Sequence, residues 1–131
     1  MLLATALTCL AMNIYHESRG ENIAGQYAVA LVTMNRAGHD RSQVCKQVLR
    51  RKQFSWTNTL VCDKRVIAAG KPKDARAWKT ALIIARTVLN GLPGDFTNGS
   101  THYHTLAVTP RWRKSMLATK VIGQHIFYRS V

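Results

Sequence analysis

The spacing of the apolar residues changes once along the chain, and this change limits the folds that the sequence can adopt. Up to about residue 90, apolar residues recur at intervals of three and four, which is typical of amphipathic helices. After a turn-rich stretch around Asn98-Gly99 they alternate with a period of two, which indicates short strands. The sequence therefore predicts an α+β fold that is mainly helical, with a small antiparallel β element in the C-terminal third.

The boundaries of these segments follow from residues that start or stop helices. The helical segments are Ala4 to Ser18, Asn22 to Arg36, Ser42 to Lys52, and Asp74 to Asn90. Asn22, Ser42 and Asp74 are residue types that cap helix N-termini. The predicted strands are Thr101 to Thr105 and Val121 to Arg129. The sequence has no repeat, low-complexity tract or linker, so we expect one domain spanning residues 1–131.

The first helix has an apolar face that ends in a carboxylate. The face consists of Leu3, Leu7, Leu10 and Ile14. One further turn brings Glu17 onto it, and because a buried unpaired charge is unfavourable, we expect Glu17 to line a cleft. The helix dipole and partial burial both disfavour the ionised form, so both raise the pKa of Glu17 and suit it to act as a general acid. The alternative is a surface glutamate paired with Arg19 or a nearby lysine.

Glu21 is the nearest other glutamate. The simpler interpretation places it in the first turn of the second helix, where a negative charge suits the dipole. The alternative interpretation makes it the second carboxylate of a two-acid glycosidase.

The charge of the chain is strongly positive. It contains 19 lysines and arginines against six acids, a formal net charge of +13. Such a field attracts anionic polymers, which include nucleic acids, anionic membranes and bacterial envelopes. No known nucleic-acid-binding motif is present, so nucleic acid is the weaker candidate. We expect the basic clusters to hold the protein to an anionic envelope surface. They are Arg50 to Lys52, Lys71 to Lys79, and Arg111 to Lys114.

The apolar start of the chain resembles the core of a signal peptide but lacks its positively charged lead. No apolar run reaches the roughly 18 to 20 residues that span a bilayer. We therefore expect a core helix in a protein that is made in the cytoplasm without an export signal.

Three cysteines leave at least one unpaired within the chain. Cys9 lies on the apolar face of the first helix and is most simply a small buried hydrophobic residue. Cys45 and Cys62 can pair in an oxidising compartment, which the sequence leaves open.

Several short segments, in order along nearly the whole chain, resemble one family. They are Tyr15 to Glu21, Gly25-Gln26, Ala28 to Ala30, Asn35-Arg36, Val44-Cys45, Gln53 to Trp56, Asn90-Gly91, Thr101 to His104, and Ile122 to Tyr128. In these segments the chain resembles the SleB-type cell wall hydrolases, which include spore-cortex-lytic enzymes and related phage endolysins.

The resemblance implies a lysozyme-like catalytic domain that cuts the glycan strand of bacterial peptidoglycan, typically as a lytic transglycosylase without a cofactor. The family's catalytic glutamate corresponds to Glu17. One carboxylate suffices for that reaction, because the substrate's own 6-hydroxyl closes an anhydro ring. A hydrolytic muramidase or glucosaminidase with two carboxylates remains the alternative. We expect a monomer that acts in the periplasm or cell wall, most simply a lysin released during phage infection.

Aromatic and polar residues in the resembling segments are candidates for a sugar-binding cleft. They are Gln53, Phe54, Ser55, Trp56, Thr101, His102 and Tyr103. Tyr128 is equally well explained as a core residue. His102 and His104 have a spacing that occurs in metal sites, but no third ligand is adjacent, so we predict no metal. A zinc amidase that acts on the same wall is the corresponding alternative.

Overall fold

The computed structural model describes residues 2–50, 66–67 and 72–131. The α-helices are α1 (Ala6–Ser18), α2 (Ile23–Arg36), α3 (Val44–Val48) and α4 (Ala75–Leu89). The strands are β1 (Leu2–Leu3), β2 (Val66–Ile67), β3 (His102–Thr105), β4 (Met116–Ile122) and β5 (His125–Ser130). The predicted α+β class is confirmed, with helices first and an antiparallel sheet in the C-terminal third.

Two of the predicted helix caps are present. The Asn22 side chain accepts a hydrogen bond from the backbone N–H of Gly25 at 2.7 Å. Asp74 accepts one from the backbone N–H of Ala77 at 3.1 Å. Each cap satisfies a donor that the first turn of a helix leaves unpaired, so α2 and α4 begin where the sequence predicts.

The start of α1 differs from the prediction. Thr5 and Thr8 form a capping box, in which each side chain accepts a hydrogen bond from the other residue's backbone N–H. The helix therefore begins at Ala6 and not at Ala4. Leu3 precedes the cap in β1, which pairs antiparallel with β2, and its side chain is exposed. Its predicted place on the core face was wrong, whereas Leu10 and Ile14 are fully buried.

The third helix is shorter than predicted, and Ser42 is not its cap. Asp40 accepts hydrogen bonds from the backbone N–H (2.9 Å) and the hydroxyl (2.7 Å) of Ser42. This Asx turn begins a 3₁₀ turn over Arg41–Gln43, which leads into α3. Because the Ser42 hydroxyl is a donor to Asp40, Asp40 takes the capping role. The helix ends at Val48 and not at Lys52.

The core lies between the four helices. All residues of α1 from Cys9 to Tyr15 are buried, and they pack against α2, α3 and α4. Residues Ala28 to Met34 of α2 are buried too, as expected for a helix that is apolar nearly all round. In the part of the chain that the structure describes, no helix is long and apolar enough to cross a bilayer.

A disulfide joins Cys9 to Cys45, with the two Cα atoms 5.2 Å apart. Cys9 is buried, as predicted, but it is not unpaired. The suggested pairing of Cys45 with Cys62 was wrong, because packing of α3 across α1 brings Cys45 to Cys9. Cys62 lies outside the described residues.

The C-terminal strands form a three-stranded antiparallel sheet in the order β3-β5-β4. The predicted single strand from Val121 to Arg129 was wrong. A turn at Gly123-Gln124 divides it, and Gly123 has a φ of +56°, which favours glycine. The sheet has two faces that are named here by position. The inner face, against α2, carries Tyr103, Thr105, His125 and Phe127. The outer face carries His102, His104, Ile126 and Tyr128, and is partly covered by a 3₁₀ helix over Arg111–Ser115.

Candidate active site

Glu17 lies in the last turn of α1, and its half-buried side chain faces an open groove of about 320 Å³. The groove lies between the α1–α2 connection and the end of the sheet that carries Thr105, Gln124 and His125. Its lining residues are His16, Glu17, Ser18, Arg19, Gly20, Glu21, Thr105, Gln124 and His125. The prediction that Glu17 lines a cleft is therefore confirmed.

The surroundings of Glu17 favour its protonated form. Burial raises the pKa of Glu17, and a hydrogen bond from Tyr103 opposes this only in part. The Tyr103 hydroxyl donates to Glu17 Oε1 at 3.3 Å. Desolvation of the carboxylate thus outweighs the hydrogen bond that stabilises it, which is the direction that the sequence predicted.

Tyr103 is held as a neutral hydrogen-bond donor. Burial, together with the negative charge of Glu17, keeps the pKa of Tyr103 well above its usual value, although the Arg36 charge opposes this. Its ring packs against Phe127 and, edge to face, against His125, with ring centroids 5.6 and 5.3 Å away. These contacts direct the hydroxyl toward one oxygen of Glu17.

Arg19 is not the partner of Glu17. Its guanidinium lies over the Tyr15 ring, 4.6 Å from the ring centroid, and donates to the Tyr15 hydroxyl. The interpretation of Glu17 as a surface glutamate paired with Arg19 is therefore wrong. Ser18 is buried and donates to the carbonyl of Ile14 at 2.8 Å, so its hydroxyl is engaged within the helix.

Glu21 has a role that the sequence did not predict. It precedes the cap of α2 and so lies outside the first helical turn. Its Oε1 lies 2.8 Å from Nδ1 of His125, and the backbone N–H of Gln124 donates to its two oxygens at 3.3 and 3.4 Å. The His125 contact is close in distance, but the ring nitrogen is not aligned for a hydrogen bond, so it is an electrostatic contact. The helix-dipole interpretation was wrong because a tertiary contact directs this side chain.

The other described carboxylates have structural partners. Asp40 and Asp74 cap helices. Burial raises the pKa of Asp95, but hydrogen bonds from the Thr97 hydroxyl, the Asn35 side chain and two backbone N–H groups of its own loop outweigh burial and lower it. Asp63 lies outside the described residues.

The predicted sugar-binding residues of β3 are divided between the two faces of the sheet. Tyr103 is on the inner face beside Glu17. His102 is on the outer face, where its ring lies 5.2 Å from that of Trp112. Thr101 is next to His102, and its hydroxyl lies 2.9 Å from Nδ1 of that histidine. Gln53, Phe54, Ser55 and Trp56 lie outside the described residues.

His104 and Tyr128 lie on the outer face of the sheet, and both side chains are buried. Nε2 of His104 lies 2.8 Å from the Tyr128 hydroxyl, and Nδ1 lies 2.7 Å from the carbonyl of Thr105. Both ring nitrogens of His104 are thus engaged. Among the described residues no cluster of three or more histidines, cysteines or acids could hold a metal ion.

The groove also contains residues that sequence reasoning missed. Thr105, Gln124 and His125 line it, and none was a candidate. The available signal was weak: His125 lies in a resembling segment, and Gly123 marks a turn. The predicted continuous strand hid that turn.

Comparison with known proteins identifies the family of the chain. A sequence model described as Cell Wall Hydrolase matches residues 20–128. The chain belongs to the cell wall hydrolase family. The matched span includes Glu21, β3, β4 and most of β5, but it begins after Glu17. A search of curated protein sequences finds no match.

Two solved structures are similar over almost the full chain. One is the catalytic domain of the germination-specific lytic transglycosylase SleB from Bacillus anthracis. It has 26% sequence identity and a TM-score of 0.70, and the alignment covers 95% of this chain and 93% of that one. The other is the catalytic domain of the Bacillus cereus SleB protein, with 25% identity, a TM-score of 0.54, and coverage of 95% and 89%. The fold of this cell wall hydrolase is therefore that of the SleB catalytic domain.

Proposed function

We propose that this protein cleaves the glycan strand of peptidoglycan as a lytic transglycosylase, with Glu17 as both the acid and the base. The observation that carries the proposal is Glu17 at the groove, with its pKa raised by burial and the Tyr103 hydroxyl on one of its oxygens. Family membership and the similarity to the SleB catalytic domains support the same substrate class.

The chemistry needs one proton and no water. Glu17 donates its proton to the glycosidic oxygen, and the bond between that oxygen and the anomeric carbon breaks. The 6-hydroxyl of the same sugar then attacks the anomeric carbon and closes a 1,6-anhydro ring. Its proton passes to the Glu17 carboxylate, which restores the acid. A raised pKa suits the first step, because a larger fraction of Glu17 then carries a proton at any given pH.

The hydrolytic alternative would require a second carboxylate at the groove, and Glu21 is the candidate because it lines the same space. Its oxygens, however, face the backbone N–H of Gln124 and the ring of His125. A base that activates water needs an oxygen directed at that water. The contacts of Glu21 therefore favour the single-carboxylate reaction.

Mass spectrometry of products from purified peptidoglycan tests this proposal. Transglycosylation leaves 1,6-anhydro-muramyl ends, whereas hydrolysis leaves reducing ends and incorporates oxygen from ¹⁸O-labelled water. Anhydro ends without label are the expected result, and labelled reducing ends would overturn it. Activity that is lost with EDTA and restored by zinc would instead favour the amidase alternative.

The exposed charge of the C-terminal region supports binding to an anionic wall. Residues 96–131 contain five lysines and arginines and no aspartate or glutamate, and all five cations are exposed. We propose that these residues hold the enzyme to anionic wall polymers. Binding to isolated walls should weaken as salt rises, because the screening length falls to about 8 Å at physiological ionic strength. Binding that is equal in low and high salt would contradict this role. Release by a phage, the single-domain organisation and the monomeric state stay predictions.

A further inference from the structure

The Glu21 side chain attaches the turn between β4 and β5 to the α1–α2 connection. Glu21 approaches the turn so closely that a Cβ at Gly123 would lie 2.6 Å from its Oε2. The side chains of Glu21 and His125 are only 14% and 6% exposed. The contact is therefore a largely buried junction between segments about 100 residues apart, and a Cβ at position 123 would displace the Glu21 carboxylate.

Packed aromatic rings connect this junction to Glu17. His125 follows the turn, and its ring meets the Tyr103 ring edge to face at 84°. Thr105 pairs with His125 across the sheet, which fixes this register. Tyr103 in turn donates to Glu17. A displacement of the turn would move His125, and with it the ring that directs the Tyr103 hydroxyl.

Other charged and polar groups of the described residues lie around this path. Arg36 acts electrostatically on Tyr103, and His104 acts on His125 from the other side of the sheet. The buried Asn13 lies behind Tyr103 and accepts a hydrogen bond from the Thr33 hydroxyl at 2.5 Å. Among these described groups, Glu21 is the negative charge that faces the turn.

We propose that Glu21 is a positioning residue, which clamps the β4–β5 turn so that Tyr103 holds Glu17 in place for proton transfer. This inference rests on the proposed role of Glu17. Glu21 itself does not touch the reacting atoms, and its effect passes through His125 and Tyr103. Misplacement of a catalytic group by about 1 Å can cost up to ~10²-fold in rate, so a substantial but incomplete loss is expected without the clamp.

Two variants should disrupt the contact between Glu21 and the β4–β5 turn in different ways. Glu21→Gln removes the charge while nearly keeping the shape. Gly123→Ala leaves every charge in place, but its methyl group would displace the Glu21 carboxylate, and the positive φ of residue 123 adds backbone strain to the same turn. Both should lower kcat by about threefold to tenfold, no more than the loss expected when the Tyr103 donor itself is removed, with KM within a factor of about two and anhydro products unchanged. Asp40→Asn, which removes an exposed carboxylate elsewhere, should keep wild-type kinetics.

A double-mutant cycle with Tyr103→Phe separates positioning from direct chemistry. If Glu21 acts through Tyr103, adding Glu21→Gln to Tyr103→Phe should lower kcat by less than about twofold further. The alkaline limb of the pH profile should also move to higher pH in Glu21→Gln, because a weaker Tyr103 hydrogen bond lets the pKa of Glu17 rise.

Three results would overturn the clamp: wild-type kcat in folded Glu21→Gln, full additivity with Tyr103→Phe, or complete loss of activity in folded Glu21→Gln. The last would make Glu21 a second catalytic carboxylate. If Gly123→Ala does not fold, the cycle still decides the question. Product ends and Glu17→Gln are measured in parallel, because they test the proposed reaction and do not depend on Glu21.

Discussion

The two faces of the C-terminal sheet have similar residue types but different surroundings. Each carries histidine and aromatic side chains, with Tyr103, His125 and Phe127 on the inner face and His102, His104 and Tyr128 on the outer face. The inner tyrosine donates to the carboxylate of Glu17, whereas the outer tyrosine meets a histidine. The inner face lies beside the last turn of α1, which carries Glu17, whereas the outer face borders the cationic 3₁₀ helix over Arg111–Ser115. Residue type alone therefore does not identify the catalytic face. The element that packs against each face identifies it.

The largest effect should come from the acid beside the inner face. Glu17→Gln keeps the shape but removes the transferable proton, so activity on peptidoglycan should fall by about 10²-fold to 10⁴-fold. Because burial raises the pKa of Glu17 in the folded state, the ionised carboxylate disfavours folding above its unfolded pKa. The variant should thus be at least as stable as wild type at pH 7, and this advantage should vanish below about pH 4. Turnover assays and thermal unfolding at both pH values check this, and a folded variant with near wild-type activity would contradict the mechanism.

The attachment of the inner face to the helices should dominate the stability of the sheet. Phe127 is fully buried and packs against Ala28 and Val32 of α2. Phe127→Ala should lower the free energy of unfolding by about 3 to 5 kcal/mol, as typical for a buried phenylalanine. Ile126→Ala, one residue away on the outer face and partly exposed, is the matched control and should cost clearly less. Urea denaturation measures both, and equal losses would show that the outer face is packed as firmly as the inner one.

The two tyrosines give the most direct comparison of the faces. Tyr103→Phe removes the donor to Glu17, which should lower kcat about tenfold, the effect of losing a hydrogen bond to a charged group. That hydrogen bond lowers the pKa of Glu17, so its loss raises the pKa further and moves the alkaline limb of the pH profile to higher pH. Tyr128→Phe removes a hydroxyl bonded to His104 and should leave the pH profile unchanged. Identical pH profiles for the two variants would show that the two faces do not differ in their effect on the pKa of Glu17.

The smallest effects should come from the cations beside the outer face. Arg113 and Lys114 are exposed on the 3₁₀ helix that carries Trp112. Replacing both by glutamine should weaken binding to intact walls by about fivefold per charge at low salt, since a close charge pair in water contributes about 1 kcal/mol. Turnover of short soluble glycan fragments should not change. A loss of turnover on those fragments would place the outer face in the catalytic site.

The sequence by itself determined the parts of the molecule that depend on near neighbours. Helical spacing and capping residues located α2 and α4 to within a residue, and the spacing of α1 placed Glu17 on the same face as Leu10 and Ile14. The change of period located the sheet. These features follow from interactions over about four residues, which a sequence displays directly.

Only the tertiary structure decided which distant residues meet. Cys9 pairs with Cys45 because α3 packs across α1, and Glu21 contacts His125 because the sheet folds back onto the α1–α2 connection. Alternation along β3 separates His102 from Tyr103, but it does not say which of them faces the helices. The burial of Phe127 against α2 decides which side of β3 faces the helices, because burial of the apolar face sets the orientation of the whole sheet. Local patterns thus predicted the acid, and long-range packing supplied the groups around it.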